Sequence, residues 1–372
     1  MAAILPTTAP TAARASPVER GQRAALPGRV DSIQWLRGIA VLLVVILHAG
    51  CMGFYRAGDG GGAHAPKFFN ALQFGNSGVD LFFVISGFVM AHSLGRGTSA
   101  WPFLVARWRR IWPLFVLASA IFIILFGTAD VTTLPRLLSS LFILPLSDTT
   151  GYHQPALAVG WTLGFELMFY LLVAITIARR GGTPALLMLT AVAAAIGLIV
   201  TVPWAPARML FNPIDFEFAL GIVAWLIWAR DWGRAWRPPL VAAGVLLLAA
   251  GLASPVPVVI PANPLLIVAN VHSFNRTLAW GLPWALIVLG LLSETGSDGI
   301  AAEMLSALGD ASYSIYLFHF IILKAVAELV PLPQNAIVAF MAIGIPLSVA
   351  GGLAIYRWVE RPLLQLLRPA AR

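Results

Sequence analysis

Two side chains in the first apolar stretch of the chain, Arg37 and His48, are of types that can hold an anion and accept a proton. On an α-helix their 11-residue separation is a rise of about 16 Å and nearly a whole number of turns, so both would share one face. An arginine fork grips phosphate or steadies a developing oxyanion, and a neutral imidazole can take a proton from an alcohol. An ionised side chain in mid-bilayer costs about 2.5–3.5 kcal/mol on insertion scales, so each needs a reason to be there. The competing structural account is that Arg37 snorkels to lipid headgroups and His48 bonds a neighbouring helix. Arg107 and Arg110, spaced i, i+3, add two guanidiniums on one helical face that can grip phosphates or anchor to anionic lipid.

Positioning these residues depends on where the apolar runs lie. Apolar residues make up 59% and charged residues 11% of the 372, against roughly 25% charged in an ordinary soluble domain. The apolar character runs the length of the chain, which excludes a soluble domain on a single anchor. Spans are expected at about 33–52, 77–95, 110–127, 157–178, 184–202, 211–229, 238–254, 277–293, 311–330 and 335–357. The fold class is therefore predicted to be an all-α membrane protein of ten transmembrane helices with both termini cytoplasmic. Residues 1–32 read as a disordered cytoplasmic tail without a signal peptide, 33–362 as the membrane domain, and 363–372 as a short basic cytoplasmic tail. Leu134–Leu146 is short and Pro-bounded, so an interfacial or re-entrant piece is expected.

The basic residues support this topology. Of the 24 Lys and Arg residues, 17 fall in segments assigned to the cytoplasm, and five (Arg56, Lys67, Arg136, Arg208 and Arg276) fall on the other side. Topology thus accounts for the net charge of +8 better than nucleic acid does. The segment Glu294–Asp310, expected to be a cytoplasmic loop, carries only acidic charge.

Asp80 and Glu166 lie near the starts of the second and fourth spans, both expected to run from outside inward, and so are expected at the depth of His48. A carboxylate there would orient the imidazole and stabilise its protonated form; the alternative is an interfacial helix cap. His319, with Tyr313, Ser314 and Tyr316, makes a polar stripe in the ninth span that Lys324 extends, suited to substrate contact or interhelical hydrogen bonding. Asp215 and Glu217 open the sixth span near its expected outer end, where they can bind acceptor hydroxyls or serve a helix N-terminus. The sequence contains no Gly-rich phosphate loop with Lys, no His-Glu-x-x-His and no Cys/His metal spacing, and Cys51 is the only cysteine. No metal, nucleotide hydrolysis or cysteine chemistry is expected. The run Gly58–Gly62 reads as a flexible outer loop.

Leu36-Arg37-Gly38-Ile39-Ala40-Val41-Leu42 with His48 resembles the Arg, ten residues, His signature of the acyltransferase-3 family of membrane acyltransferases. Gly78–Phe88 (GVDLFFVISGF), Arg107–Pro113 (RWRRIWP), Trp161–Glu166 (WTLGFE), Ser312–His319 (SYSIYLFH) and Glu360-Arg361-Pro362 resemble further segments of that family, in order, across nearly the whole membrane domain. The resemblance implies O-acylation, commonly acetylation, of envelope or exported carbohydrate, with acetyl-coenzyme A or another acyl-coenzyme A as donor. It implies a donor-binding role for Arg107 and Arg110; with the residue types and expected depths this gives Arg37, Arg107 and Arg110 as the expected donor site and His48, assisted by Glu166 and with Asp80 as a further candidate, as the expected base for the acceptor, with Tyr313 and His319 as candidate substrate contacts.

The expected setting is a bacterial inner membrane, with membrane lipid and a carbohydrate or lipid-linked glycan as partners. No appended soluble domain follows the last expected span, so transfer is expected to finish in the membrane cavity or pass to another protein. Two alternatives remain at this point: the same chemistry on a small molecule or lipid, and a proton-coupled transporter using the same buried Arg, His and Glu.

Overall fold

The computed structural model describes residues 30–57, 72–94, 99–127, 133–143, 145, 147–148, 151–231, 234–253, 264–292, 299–333 and 336–367. The expected N-terminal tail up to residue 29, the Gly58–Gly62 run, Lys67, Arg96, Arg368 and Arg372 lie outside the described residues. In chain order the helices are α1 (Asp31–Arg56), α2 (Ser77–Ser93), α3 (Ala100–Phe126), α4 (Leu134–Phe142), α5 (Trp161–Ala178), α6 (Thr183–Ile199), α7 (Ala205–Leu210) and α8 (Phe216–Trp228). They continue with α9 (Arg237–Ala253), α10 (Pro264–Val268), α11 (Ser273–Arg276), α12 (Leu282–Leu291), α13 (Ile300–Asp310), α14 (Ser312–Leu329), α15 (Ile337–Ile355) and α16 (Arg361–Leu366). A two-residue antiparallel pair, Ser147–Asp148 with Gly151–Tyr152, is the only sheet among the described residues.

Helices occupy all ten places where apolar runs were expected, and among the described residues seven helical stretches are long and apolar enough to cross a membrane. Of the remaining three, α6 and α9 are shorter apolar helices, and α11 runs into α12 through a π turn at Thr277–Gly281. The chain is a helical multi-pass membrane protein.

Three local expectations change. The third helix starts at Ala100 rather than 110, because Trp101, Pro102 and Phe103 already form its first turn; the Arg107–Pro113 motif therefore lies inside a continuous helix, not at its entry. Ile300–Asp310 is a helix, not a loop: α13 packs across the start of α1, where Trp35 Nε1 donates to Ser306 Oγ at 3.0 Å. Among the described residues from Leu134 to Leu146 only the nine of α4 are helical, and Ile143 ends them with φ 57°. Nine residues rise about 13 Å, less than half a bilayer core.

The centre is aromatic. Phe218 on α8 stacks on Phe169 of α5 at 4.3 Å and lies 4.8 Å from Phe83 of α2. This crossing is close because it is built on glycine: a Cβ on Gly87 would lie 2.0 Å from the Phe218 carbonyl oxygen, and one on Gly221 1.9 Å from that of Val84. Paired small residues let membrane helices approach until backbone packs on backbone, and here they bring the polar face of α2 against α8.

Candidate active site

A cavity of about 320 Å³ opens between α1, α2, α3, α5 and α14, with Arg37, Ser86, Arg107, Arg110, Glu166 and Tyr313 among its walls. α1 supplies Arg37 because α13 pins its first turns: Gly309 sits against the backbone of Gln34, and Gly38 against the Leu305 carbonyl. Arg110, Glu166, Glu360 and Asp310 are the charged groups that act on Arg37. α3 supplies Arg107, whose guanidinium carbon lies 5.4 Å from the Phe103 ring and 5.9 Å from that of Tyr170, a cation–π arrangement that steers a flexible side chain. Its Nε is buried and has no hydrogen-bond partner, and the same is true of Gln34 Oε1 and Ser312 Oγ in the same walls. Such atoms are ordinarily satisfied by water or ligand.

Glu166 accepts hydrogen bonds from Ser86 Oγ at 3.3 Å and from the Tyr170 hydroxyl. Tyr313 donates to the Ile111 carbonyl at 2.7 Å, tying α14 to α3. The two closing motifs of the sequence meet where Ser314 Oγ donates to Glu360 Oε2 at 2.5 Å, Glu360 being carried inward by a π turn at Tyr356–Glu360.

His48 lies apart from this cavity. Its Nδ1 is 2.9 Å from the Val44 carbonyl oxygen and 3.2 Å from His319 Nε2, while His319 Nδ1 is 3.1 Å from the Ile315 carbonyl. A carbonyl only accepts, so both rings carry their proton on Nδ1; His319 Nε2 then accepts from His48, and His48 Nε2 keeps its lone pair. Tyr316, one turn before His319, lines the arginine cavity, and its ring centroid lies 6.1 Å from that of His319. Its hydroxyl donates to the Val159 carbonyl at 2.9 Å and lies 2.8 Å from Thr162 Oγ1.

These contacts correct the expected depths of both carboxylates. Val159 and Thr162, at the start of α5, are level with Tyr316, so Glu166 lies deeper still, at the Arg37 end of the cavity and not beside His48. Along α2, Gly78 packs against Ala40 and Val44, which puts Asp80 about two helical turns from His48. Asp80 instead forms a two-pronged ion pair with Arg276, Nε to Oδ1 at 2.8 Å and Nη2 to Oδ2 at 2.7 Å, with both side chains buried. Arg276, expected in an outer loop, is thus a buried helical residue. Asp215 and Glu217 are both buried rather than exposed to an acceptor at the outer end, and Glu217 neighbours this pair.

Tyr170 and Arg276 join polar networks in which the sequence pattern alone does not place them. A solitary arginine at the entry to an apolar run, matched by an aspartate in another span, is the signal that could have found the second. Lys324 pairs with Glu328 at 2.9 Å and lies over the Phe126 ring, outside the cavity.

Comparison with known proteins matches residues 30–357 to the family model described as an acyltransferase domain. The chain is 32% identical over 311 residues to the exopolysaccharide production protein ExoZ of Rhizobium meliloti (strain 1021), covering 81% of this chain and 93% of the relative. It is 27% identical to the acyltransferase MdmB of Streptomyces mycarofaciens, covering 92% and 94% of the two chains. A similar identity, 27%, covering 78% and 72%, relates it to the putative membrane-bound transacylase BcsY of Komagataeibacter xylinus. With the family's segments folded around one arginine-lined cavity and matched over nearly the whole membrane domain, the chain belongs to the acyltransferase-3 family and is an acyltransferase.

Proposed function

We propose that the protein takes an acyl group, acetyl in the first instance, from acyl-coenzyme A on the cytoplasmic side and transfers it to a hydroxyl of an envelope or exported carbohydrate. In this reading it crosses a bacterial inner membrane ten times, with both termini in the cytoplasm. The observation that carries it is the convergence of Arg37, Arg107 and Arg110 on one cavity whose wall residue Tyr316 has its ring centroid 6.1 Å from that of His319, the neighbour of His48. Carbohydrate is preferred as acceptor because the relative ExoZ is named for exopolysaccharide production.

The three guanidiniums hold the donor phosphates, and the unpartnered Arg107 Nε and Gln34 Oε1 are available to the same ligand. The acceptor hydroxyl gives its proton to His48 Nε2, and its oxygen bonds to the thioester carbonyl carbon. The carbon–sulfur bond breaks, and the departing sulfur takes the proton from His48, leaving the ester and the coenzyme A thiol. His319 accepts from His48 Nδ1 throughout and fixes the ring. Glu166 offsets the arginine charge and anchors Tyr170; it does not orient His48.

For the thioester and His48 to meet, Tyr316 must leave Val159 and Thr162, and its closed position shields the donor from water. Tyr316→Phe keeps the ring and removes both bonds. The ratio of thioester hydrolysis to ester formation is expected to rise several-fold, and an unchanged ratio removes the gating step.

Thiol release from acetyl-coenzyme A by the purified protein in nanodiscs, with and without an envelope-glycan extract, tests the reading as a whole. Arg107→Ala is expected to raise KM for the donor about 10- to 100-fold, the scale of a lost hydrogen bond to a charged group, with a smaller effect on kcat. If the wild type neither binds nor turns over acetyl-coenzyme A or longer donors, the donor assignment is wrong.

A further inference from the structure

Beside the arginine cavity lies a second chamber of about 420 Å³ between α3, α5 and Ile143 at the end of α4. Leu104, Val105, Trp108, Leu167 and Leu171 line it. Among its 11 lining residues, only Arg107 and Tyr170 carry an ionisable group, and the Tyr170 hydroxyl is already bonded to Glu166. Apart from Arg107, which it shares with the arginine cavity, such a space offers little to a sugar, a nucleotide or an acceptor hydroxyl, since each would lose most of its hydrogen bonds to water without replacement. An apolar void of this kind stays dry and takes an apolar ligand.

The two chambers share four wall residues, Arg107, Ile111, Leu163 and Tyr170. The chambers are therefore neighbours with these side chains as the partition, and a chain that passes between Ile111 and Leu163 leaves the arginine cavity for the apolar chamber. On the far side Trp101 is 74% and Trp108 38% exposed. A two-carbon acetyl group needs little of this space.

We infer that the chamber receives the hydrocarbon chain of an acyl donor longer than acetyl and so sets the chain length of the group transferred. The inference rests on the reading of the arginine cavity as the donor site.

The test uses the full-length protein in nanodiscs, titrated with coenzyme A and with non-hydrolysable thioether analogues of acetyl-, hexanoyl- and octanoyl-coenzyme A. Affinity is expected to rise with chain length, by about tenfold or more from acetyl to octanoyl, since even one methylene in a fitted pocket is worth that much. Leu167→Trp fills the chamber and should abolish that gain. Leu104→Ala enlarges it and should move the preference toward the longer chain, an opposite sign that misfolding does not produce. Chain-length-independent binding by the wild type overturns the inference while leaving the donor reading in place, as does an equal loss for all three analogues in both variants. Binding of none of the four compounds, coenzyme A included, overturns both. Displacement of a co-purified phospholipid, with no dependence on acyl length, assigns the chamber to a lipid tail and also overturns it.

Discussion

His48→Ala is expected to lower kcat for acyl transfer about 10²- to 10⁴-fold, the usual contribution of a positioned general base, with little change in KM for the donor. The separation of the two effects follows from geometry. The arginines proposed to hold the donor line a cavity whose lining does not include His48, and its wall residue Tyr316 neighbours His319. The surroundings of His48 also prepare it to act as a base. The Val44 carbonyl and His319 Nε2 both draw the proton to Nδ1, which leaves Nε2 unprotonated and able to accept. When Nε2 takes the acceptor's proton, Nδ1–H remains bonded to the same two acceptors, so the imidazolium forms without rearrangement. Steady-state thiol release and ester formation, normalised to folded protein by size exclusion, read the effect. Turnover close to wild type would place the base elsewhere. A rise in KM with kcat unchanged would make His48 a donor contact.

The helices are legible in the sequence because a bilayer demands long apolar runs, and those runs mark ten helices that the structure contains. Elements whose composition is not apolar are harder to read. α13 resembles a loop in sequence because Glu303 and Asp310 make it amphipathic and acidic, yet its Gly309 packs directly on the backbone of α1. The arginines of the site are legible from type and spacing. The positions of the carboxylates are not, because reckoning depth from the start of each apolar run assumes that every helix begins at the same level. α5 begins below the level of His319, where the Ala158–Gly160 turn brings Val159 under Tyr316. That offset moves Glu166 from the histidine to the arginines. The pairing of His48 with His319 joins residues 271 positions apart, and no local pattern announces it.

The buried ion pair between Asp80 and Arg276 makes the remaining large prediction. Arg276→Met is expected to destabilise the folded protein by about 3–5 kcal/mol, because removing one member of a buried pair strands the charge of the other. Here it would leave Asp80 next to Glu217, with both side chains buried and deprived of the cation that Arg276 supplies. Asp80→Asn should be milder, about 1–3 kcal/mol. Asparagine still accepts from Arg276, the Asn76 carbonyl still accepts from Nη2 at 2.9 Å, and Glu217 is near enough to balance the arginine charge. Gly281 permits that substitution of partners, since a Cβ there would lie 2.6 Å from Glu217 Cγ. Thermal unfolding of the purified variants should therefore rank wild type above Asp80→Asn and Asp80→Asn above Arg276→Met. Adding Asp80→Asn to Arg276→Met should cost little more, or restore stability, because it removes a stranded charge. Turnover per folded molecule separates this role from catalysis. If Asp80→Asn folds with wild-type stability and yet loses turnover, Asp80 acts in the chemistry after all; if turnover follows the folded fraction, the Asp80–Arg276 pair serves to lock α2 to α11 and thereby hold the wall of the arginine cavity.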